Sequence, residues 1–407
     1  YNINVMKSLR ELLIEGNGPS SSHTIGPYRA TKAFLSLLGD KPCDEIDVTL
    51  YRSLALTGKG HGTDHIIARA LLGYPTKIIF DTTTRTKHPN TLRFDAFYKG
   101  RPILWNSYES IGGGAIKEVD KEYSPRDVYP FNKASELNIY MAQRGLSNPY
   151  QVIEEYEGKE IFSYGEKLLK DSFNTLELSL NTTGYLPGKL HLKAVAKDIY
   201  ESAQRESEKE NNALLYLTAY AYAVSEANAR GEIIVTAPTC GAAGVVPACL
   251  YYLYKNKHYD WSLLVRSYLV GALFCNFIKE MAGISGAMLG CQAEIGSASA
   301  FAAASMCYAD SLSMYNIEYG AEVALEHFLG LTCDPVGGYV QIPCIERNGM
   351  AAVHSYTSYI YAKDIAPSRK NRVSFDDVIA VMRETGQAIP TDFKETSLGG
   401  LAKIVKC

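Results

Sequence analysis

The chain has 407 residues, 46% hydrophobic and 21% charged, with a formal net charge of -3. That is ordinary globular composition, long enough for two or three domains with substantial cores. The near-neutral charge gives no reason to expect a nucleic acid or an anionic membrane as partner, and the longest apolar runs, Val265–Phe277 and Ser297–Met306, read as too short or too interrupted to span a bilayer.

Residues 1–165 mix helix and strand patterns and predict an α+β domain. The segment opens Tyr1-Asn2-Ile3 with no signal-peptide pattern, and the missing initiator Met leaves room for a removed upstream stretch. Gly18-Pro19-Ser20-Ser21-Ser22-His23-Thr24 precedes a helix over Gly26–Leu38. Consecutive hydroxyls at a helix entrance, beside free backbone N–H groups, suit a carboxylate; one N-cap explains one serine but not three plus a histidine. Ile46, Val48 and Leu50 alternate, as do Leu92, Phe94, Ala96 and Tyr98, so both runs read as strands, with further strands at Pro75–Thr82 and Ile103–Tyr108. Gly58-Lys59-Gly60-His61-Gly62-Thr63-Asp64 opens an expected helix over His61–Leu72. Its glycines let backbone approach a ligand, Thr63 or Asp64 can cap the helix, and His61 is a candidate base against the plainer reading of a structural histidine. His88-Pro89-Asn90-Thr91 is a third polar turn, and Gly112-Gly113-Gly114 marks a close backbone passage.

Residues 166–192, with Asn181-Thr182-Thr183-Gly184 and Pro187-Gly188, read as a linker. Residues 193–407 read as nearly all helical, with helices over Lys193–Arg230, Gly244–Tyr254, Ser262–Met281, Gln292–Ala309, Glu318–Leu329 and Ser374–Glu384, the last capped by Ser374. Ala237-Pro238-Thr239-Cys240-Gly241 precedes one of them and can turn backbone amides toward a ligand.

Nine cysteines in a chain without secretory features argue for metal binding or reactivity rather than a disulfide framework. Cys43, Cys249, Cys275 and Cys307 have apolar or ordinary contexts and read as structural. Cys291, Cys333 and Cys344 each sit among Gly, Pro or small residues. Three spread thiolates can hold three irons of a cubane cluster and leave the fourth open as a Lewis acid; the alternative is buried core thiols.

Seven segments together resemble the iron–sulfur-dependent L-serine dehydratases (L-serine ammonia-lyases) of the single-chain type: GPSSSHTIGPYRA, GKGHGTDH, HPNTLRFDAF, APTCGAAGVVPA, SGAMLGCQAEIG, EHFLGLTCDPVGGYVQIPCIERN and MRETGQAIPTDFKETSLGGLA. They run from residue 18 to residue 402 in the family's order, so the resemblance covers nearly the whole chain. It implies an α+β domain followed by a helical domain carrying a [4Fe–4S] cluster held by Cys291, Cys333 and Cys344, with Cys407 as an internal ligand that competes with substrate. The implied reaction converts L-serine to pyruvate and ammonia, the cluster acting without redox change, as a step of amino-acid degradation that feeds gluconeogenesis. His61 is the leading general base, with His23 as runner-up. Ser20, Ser21, Ser22, Thr63, Asn90 and Arg347 are the candidate substrate-binding residues, and an Arg347–Glu346 ion pair is an alternative use of that arginine. The implied protein is a cytoplasmic homodimer. Cys240 departs from the family's pattern, where Asn is expected, and no appended regulatory module of the ACT kind is visible.

Two other classes stay open from the residues. An electron-transfer iron–sulfur protein would want a fourth cysteine closing the cluster and no Ser/His loop. An amino-acid sensor would keep the fold without chemistry, against the intact cysteine and histidine motifs. Pyridoxal-phosphate chemistry would need a Schiff-base lysine; Lys59 has a glycine-rich setting, but the cysteine placement speaks against it.

Overall fold

Strict alternation of apolar and polar residues builds the sheet of the N-terminal region. The computed structural model describes residues 5–121 and 127–404. The chain runs β1 (Met6–Lys7), β2 (Glu15–Asn17), α1 (Gly26–Leu38), β3 (Glu45–Tyr51), α2 (Arg52–His61), α3 (Thr63–Ala70), β4 (Thr76–Asp81), β5 (Thr91–Tyr98), β6 (Arg101–Gly112), β7 (Ala115–Glu118) and β8 (Asp127–Tyr129). Among the described residues β4-β3-β5-β6-β7 form one five-stranded sheet, parallel between β3 and β4 and antiparallel elsewhere. Ile46, Val48 and Leu50 on β3 and Leu92, Phe94 and Ala96 on β5 point to one buried face, where they meet Phe34 and Leu38 of α1.

The rest is mostly helical: α4 (Ala134–Arg144), α5 (Pro149–Glu157), α6 (Glu160–Ser179), α7 (Ala196–Arg205), α8 (Lys209–Ala229), a short strand β9 (Ile233–Val235), α9 (Val245–Lys255), α10 (Trp261–Met281), α11 (Gly286–Leu289), α12 (Ile295–Ala309), α13 (Met314–Glu326), α14 (Cys344–Ile360) and α15 (Phe375–Ala388). The central α12 is rich in Ala, Ser and Gly and buried on almost every side, because small side chains let neighbouring helices approach it from all round. Ser374 caps α15 in a full capping box with Asp377.

Several expected elements come out differently. Residues 166–192 are not a linker throughout: α6 runs to Ser179, burying Leu168, Leu169, Phe173 and Leu176 on one face. The long helix expected over 193–230 is two, α7 and α8. His61 ends a helix rather than starting one, since Gly62 adopts φ +70° and separates α2 from α3. Gly62, not Thr63 or Asp64, occupies the cap position of α3. The run around Val265–Phe277 extends into the 21-residue α10, long and apolar enough to cross a membrane, but 78% of its apolar window is buried inside the protein.

The two regions interlock. β1 pairs with β8, β2 pairs with β9, and Met6, Leu9, Leu12 and Leu13 belong to the same buried core as α10 and α12. The triplet Gly112–Gly114, all with positive φ, passes against Ser285 and Ile284 ahead of α11. These contacts bring the Ser/His loops of the first region over the cysteines of the second.

Candidate active site

Ser20 to Ile25 enter α1 through one wide turn, Ser21–Ile25, continuous with the helix. That turn buries His23 completely. His23 Nδ1 lies 3.0 Å from Ser22 Oγ and 3.4 Å from Ser20 Oγ, while Nε2 lies 2.8 Å from Thr57 Oγ1. The Thr57 hydroxyl donates to the Ser53 carbonyl at 2.9 Å, so it accepts from His23 Nε2–H and leaves Nδ1 as the acceptor for a serine hydroxyl. His61 stacks on His23 with ring centroids 4.2 Å apart. Its Nδ1 is 2.9 Å from the Thr57 carbonyl, which can only accept, so Nδ1 carries the hydrogen and Nε2 is the basic nitrogen.

Both imidazoles face one carboxyl group. Glu395 Oε1 is 3.4 Å from His23 Nδ1 and 3.6 Å from His61 Nε2, and its Oε2 is buried without a partner. Its backbone is pinned on two sides: the Glu395 N–H donates to the Cys333 carbonyl at 2.7 Å, and the Ser53 hydroxyl donates to the Glu395 carbonyl at 2.8 Å. Burial, and then the neighbouring Cys291, push the Glu395 acid up to about 8. Burial lowers His61 to about 4, and burial together with the stacked His61 holds His23 well below the usual imidazole range. At neutral pH the trio is therefore a protonated acid between two neutral imidazoles. One ligand atom from each of the three lies within 4.8 Å of the others, an arrangement that could also hold a single cation.

The three cysteines arrive from separate elements. Cys291 opens a short turn, Cys291–Ala293, between α11 and α12; Cys333 sits in the loop after α13; Cys344 is the first residue of α14. All three line one narrow, nearly filled space together with Ser20, His61, Glu294 and Glu395. Cys291 is lowered to about 6 by a hydrogen bond from the Cys333 thiol and by the nearby Arg347 guanidinium, against the effect of burial; Cys333 is raised by that same hydrogen bond and by burial, and Cys344 by burial, so one thiol of the three ionises readily. Arg347, one turn beyond Cys344, donates to the Thr332 carbonyl at 2.8 Å and pairs with Asp334 at 3.3 Å. Its ion pair is thus with Asp334, not with the exposed Glu346. Three thiols from three directions at one enclosed space, with a cation beside them, are a donor set that fits a polynuclear iron–sulfur group.

Of the residues singled out from sequence, Ser20, His61, Cys291, Cys333 and Cys344 line this cavity, and His23 and Ser22 support it from behind. Ser21 is buried in the same turn. Thr63 and Asn90 are buried outside the cavity lining, and the side-chain polar atoms of both are without partners. Cys407 lies outside the described residues. Cys249, Cys275 and Cys307 are fully buried core thiols, as expected, and Cys240 is buried beside Glu294. A Cβ on Gly60 would stand 2.7 Å from the carbonyl of Gly338, so its absence lets α2 lie against the loop joining Cys333 and Cys344, while Gly62 faces open space. Sequence reasoning missed Glu395, Glu294 and Thr57. Glu395 stood inside a quoted segment, KETSLGG, where a lone acid among small polar residues was the available signal.

The family model for the serine dehydratase alpha chain matches residues 132–402, and that for the beta chain matches residues 8–79. The chain belongs to the serine dehydratase family. It is 35% identical to an L-serine dehydratase of Streptomyces coelicolor, covering 98% of this chain and 99% of that one. It is also 35% identical to L-serine dehydratase 1 of Escherichia coli, over 99% of this chain and all of the relative. An L-serine dehydratase of Helicobacter pylori shares 35% identity over 96% of this chain and 97% of its own. The family places the beta-chain match on the loops that carry His23 and His61, and the alpha-chain match on all three cavity cysteines and Glu395.

Proposed function

We propose that the chain is an L-serine dehydratase that releases pyruvate and ammonia, and that Cys291, Cys333 and Cys344 hold a [4Fe–4S] cluster. The observation that carries this reading is the convergence of three cysteines, His61 and Glu395 on one enclosed cavity. When bound, such a cluster supplies an iron lacking a protein thiolate, a Lewis acid for the substrate's hydroxyl.

The chain's own residues then divide the work. His61 Nε2, facing the cavity with Nδ1 held by Thr57, takes the Cα proton. His23, with both nitrogens engaged, fixes the orientation of Ser20 and Ser22 and stacks His61 in place. Ser20, at the cavity wall, receives the substrate carboxylate. Glu395 holds a proton within reach of His61 and the departing hydroxide, which leaves as water. Loss of these elements of water gives aminoacrylate, which tautomerises to an imine and hydrolyses to pyruvate and ammonia. Arg347, with acceptors on its guanidinium already at Thr332 and Asp334, is assigned to balancing charge at the cysteines. Cys407 is assigned the role of an internal thiol that competes with serine, a reading supported by family resemblance alone. The working form is taken to be a cytoplasmic homodimer, on the same support.

The test is pyruvate release from L-serine by anaerobically purified protein, with iron, sulfide and pyridoxal phosphate measured on the same sample. Activity with iron and sulfide and without pyridoxal phosphate is expected, and Cys291→Ala is expected to lose both iron and activity. Full activity in a metal-free Cys291→Ala, Cys333→Ala, Cys344→Ala triple variant would refute the assignment.

A further inference from the structure

A second, larger cavity of about 470 Å³ lies outside the cysteine chamber. Three residues line both spaces: Pro19, His61 and Val340. Val340 is only 7% exposed and belongs to the loop between Cys333 and Cys344. That loop is held from both sides. Gln341 Nε2 donates to the Pro187 carbonyl at 2.7 Å, and Gly338 lies against Thr57 and Gly60 of α2. The outer cavity is lined by Lys59, His65, Arg69 and Arg230, and by no carboxylate side chain among the described residues. Arg230 pairs with Glu232, whereas among the described residues Lys59 and Arg69 pair with no carboxylate; Arg69 donates to Asn17 and Lys59 lies over Phe80.

We infer that the outer cavity is the vestibule through which a small amino acid reaches the cysteines, and that Val340 sets the width of the constriction it must pass. The inference rests on the proposed reaction for the identity of the traveller, but its geometry stands apart from it. The cationic lining attracts the carboxylate end of the amino acid. Pro19 is conformationally fixed and His61 is held by Thr57 and by stacking, so among the described residues that line both spaces Val340 is the apolar side chain whose size can be varied. A side chain of that size at the shared wall leaves less room for a substituent on the substrate's β-carbon, which disfavours L-threonine, one methyl larger than L-serine.

Two measurements test this. The first compares kcat/KM for L-serine and L-threonine in the anaerobic enzyme and in Val340→Ala and Val340→Ile. Val340→Ala is expected to raise the threonine-to-serine ratio by about tenfold, the effect of one methyl group in an apolar fit, and Val340→Ile to lower it. The second follows alkylation of Cys291 and Cys333 in the metal-free chain by iodoacetamide and by the bulkier N-phenylmaleimide, read by peptide mass spectrometry. The expected preference for the small reagent shrinks in Val340→Ala and grows in Val340→Ile. A wild-type protein that turns over no serine but shows this labelling pattern overturns the proposed reaction and keeps the gate. An active protein whose ratio is unchanged in Val340→Ala, or equal labelling in all three proteins, overturns the gate.

Discussion

At the residue scale the site depends on which nitrogen of each histidine is free. His61 has its Nδ1 committed to a backbone carbonyl and its Nε2 in the cavity, whereas His23 has both nitrogens occupied by hydroxyls. His61→Ala is accordingly expected to lower kcat by about 10²–10⁴-fold with iron content unchanged. His23→Ala would disturb the serines as well, so it is expected to raise KM too; comparing the two KM values separates base from positioning. The importance of His61 was legible in the sequence from its glycine-flanked motif, but its partner Glu395 was not. The two are 334 positions apart, and the hydrogen bonds of the Glu395 backbone to Cys333 and to Ser53 of α2 bring them together. A third lowered histidine adds to the acid sensitivity that buried His23 and His61 already impose. His88 accepts a hydrogen bond from the Asn90 N–H through Nδ1, and burial with nearby Lys117 and Arg52 lowers it from 6.5 to about 4. The unfolded chain binds a proton there below 6.5 while the folded chain does not until about 4. Stability is therefore lost as pH falls through that window, by at most about 3 kcal/mol. The drop in melting temperature between pH 7 and pH 4 is expected to be shallower in His88→Asn; an identical pH profile would remove His88 from the account.

At the scale of elements, strands were the most legible part because their alternation is dictated by one buried face; β3, β4, β5 and β6 all include or fall within the expected runs. The helices of the second region were also legible where apolar periodicity was unbroken, as in α10 and α15. The reading failed at α2, whose second half, Thr57–His61, carries two glycines and looks like a loop. Tertiary packing overrides that weak propensity: the same missing side chain that disfavours a helix lets Gly60 touch Gly338. α6 failed for another reason. Its 3.6-residue period was present, but the turn signals at Asn181–Gly184 mark its end rather than a linker around it. Gly60→Ala puts a methyl group against backbone, which cannot swing aside, so α2 must move off the cysteine loop. The expected cost is about 1–3 kcal/mol in stability, measured by denaturant midpoint. Activity should fall by more than stability alone explains, because His61 is the next residue.

At the scale of the molecule, the family's division into alpha and beta chains meets a core that does not divide there. The segment Met6–Asn17 belongs by sequence to the first region, yet it is built into the second. β2 pairs with β9, the Asn276 side chain donates to the Lys7 carbonyl at 2.8 Å, and the half-buried Lys279 donates to the Glu11 carbonyl at 2.7 Å. The Ile14 N–H donates to the Thr236 hydroxyl at 3.0 Å, and Met6, Leu9, Leu12 and Leu13 are fully buried in the helical core. The sheet, by contrast, has its own smaller core around Phe34 and Phe94. A chain divided ahead of Asp127 would keep that smaller core intact in the first piece but strip the cover from four large apolar side chains. Each contributes about 1.5–3 kcal/mol when buried, so reassociation is strongly favoured. The two pieces, expressed together, are expected to co-purify through gel filtration as one complex with a composite site, His61 from one piece facing Cys291 from the other. The first piece expressed alone is expected to aggregate unless Met6, Leu9, Leu12 and Leu13 are replaced by polar residues. Pieces that elute separately and stay soluble would mean that the loops bearing His23 and His61 are held over the cysteines by the chain connection, and not by the shared core.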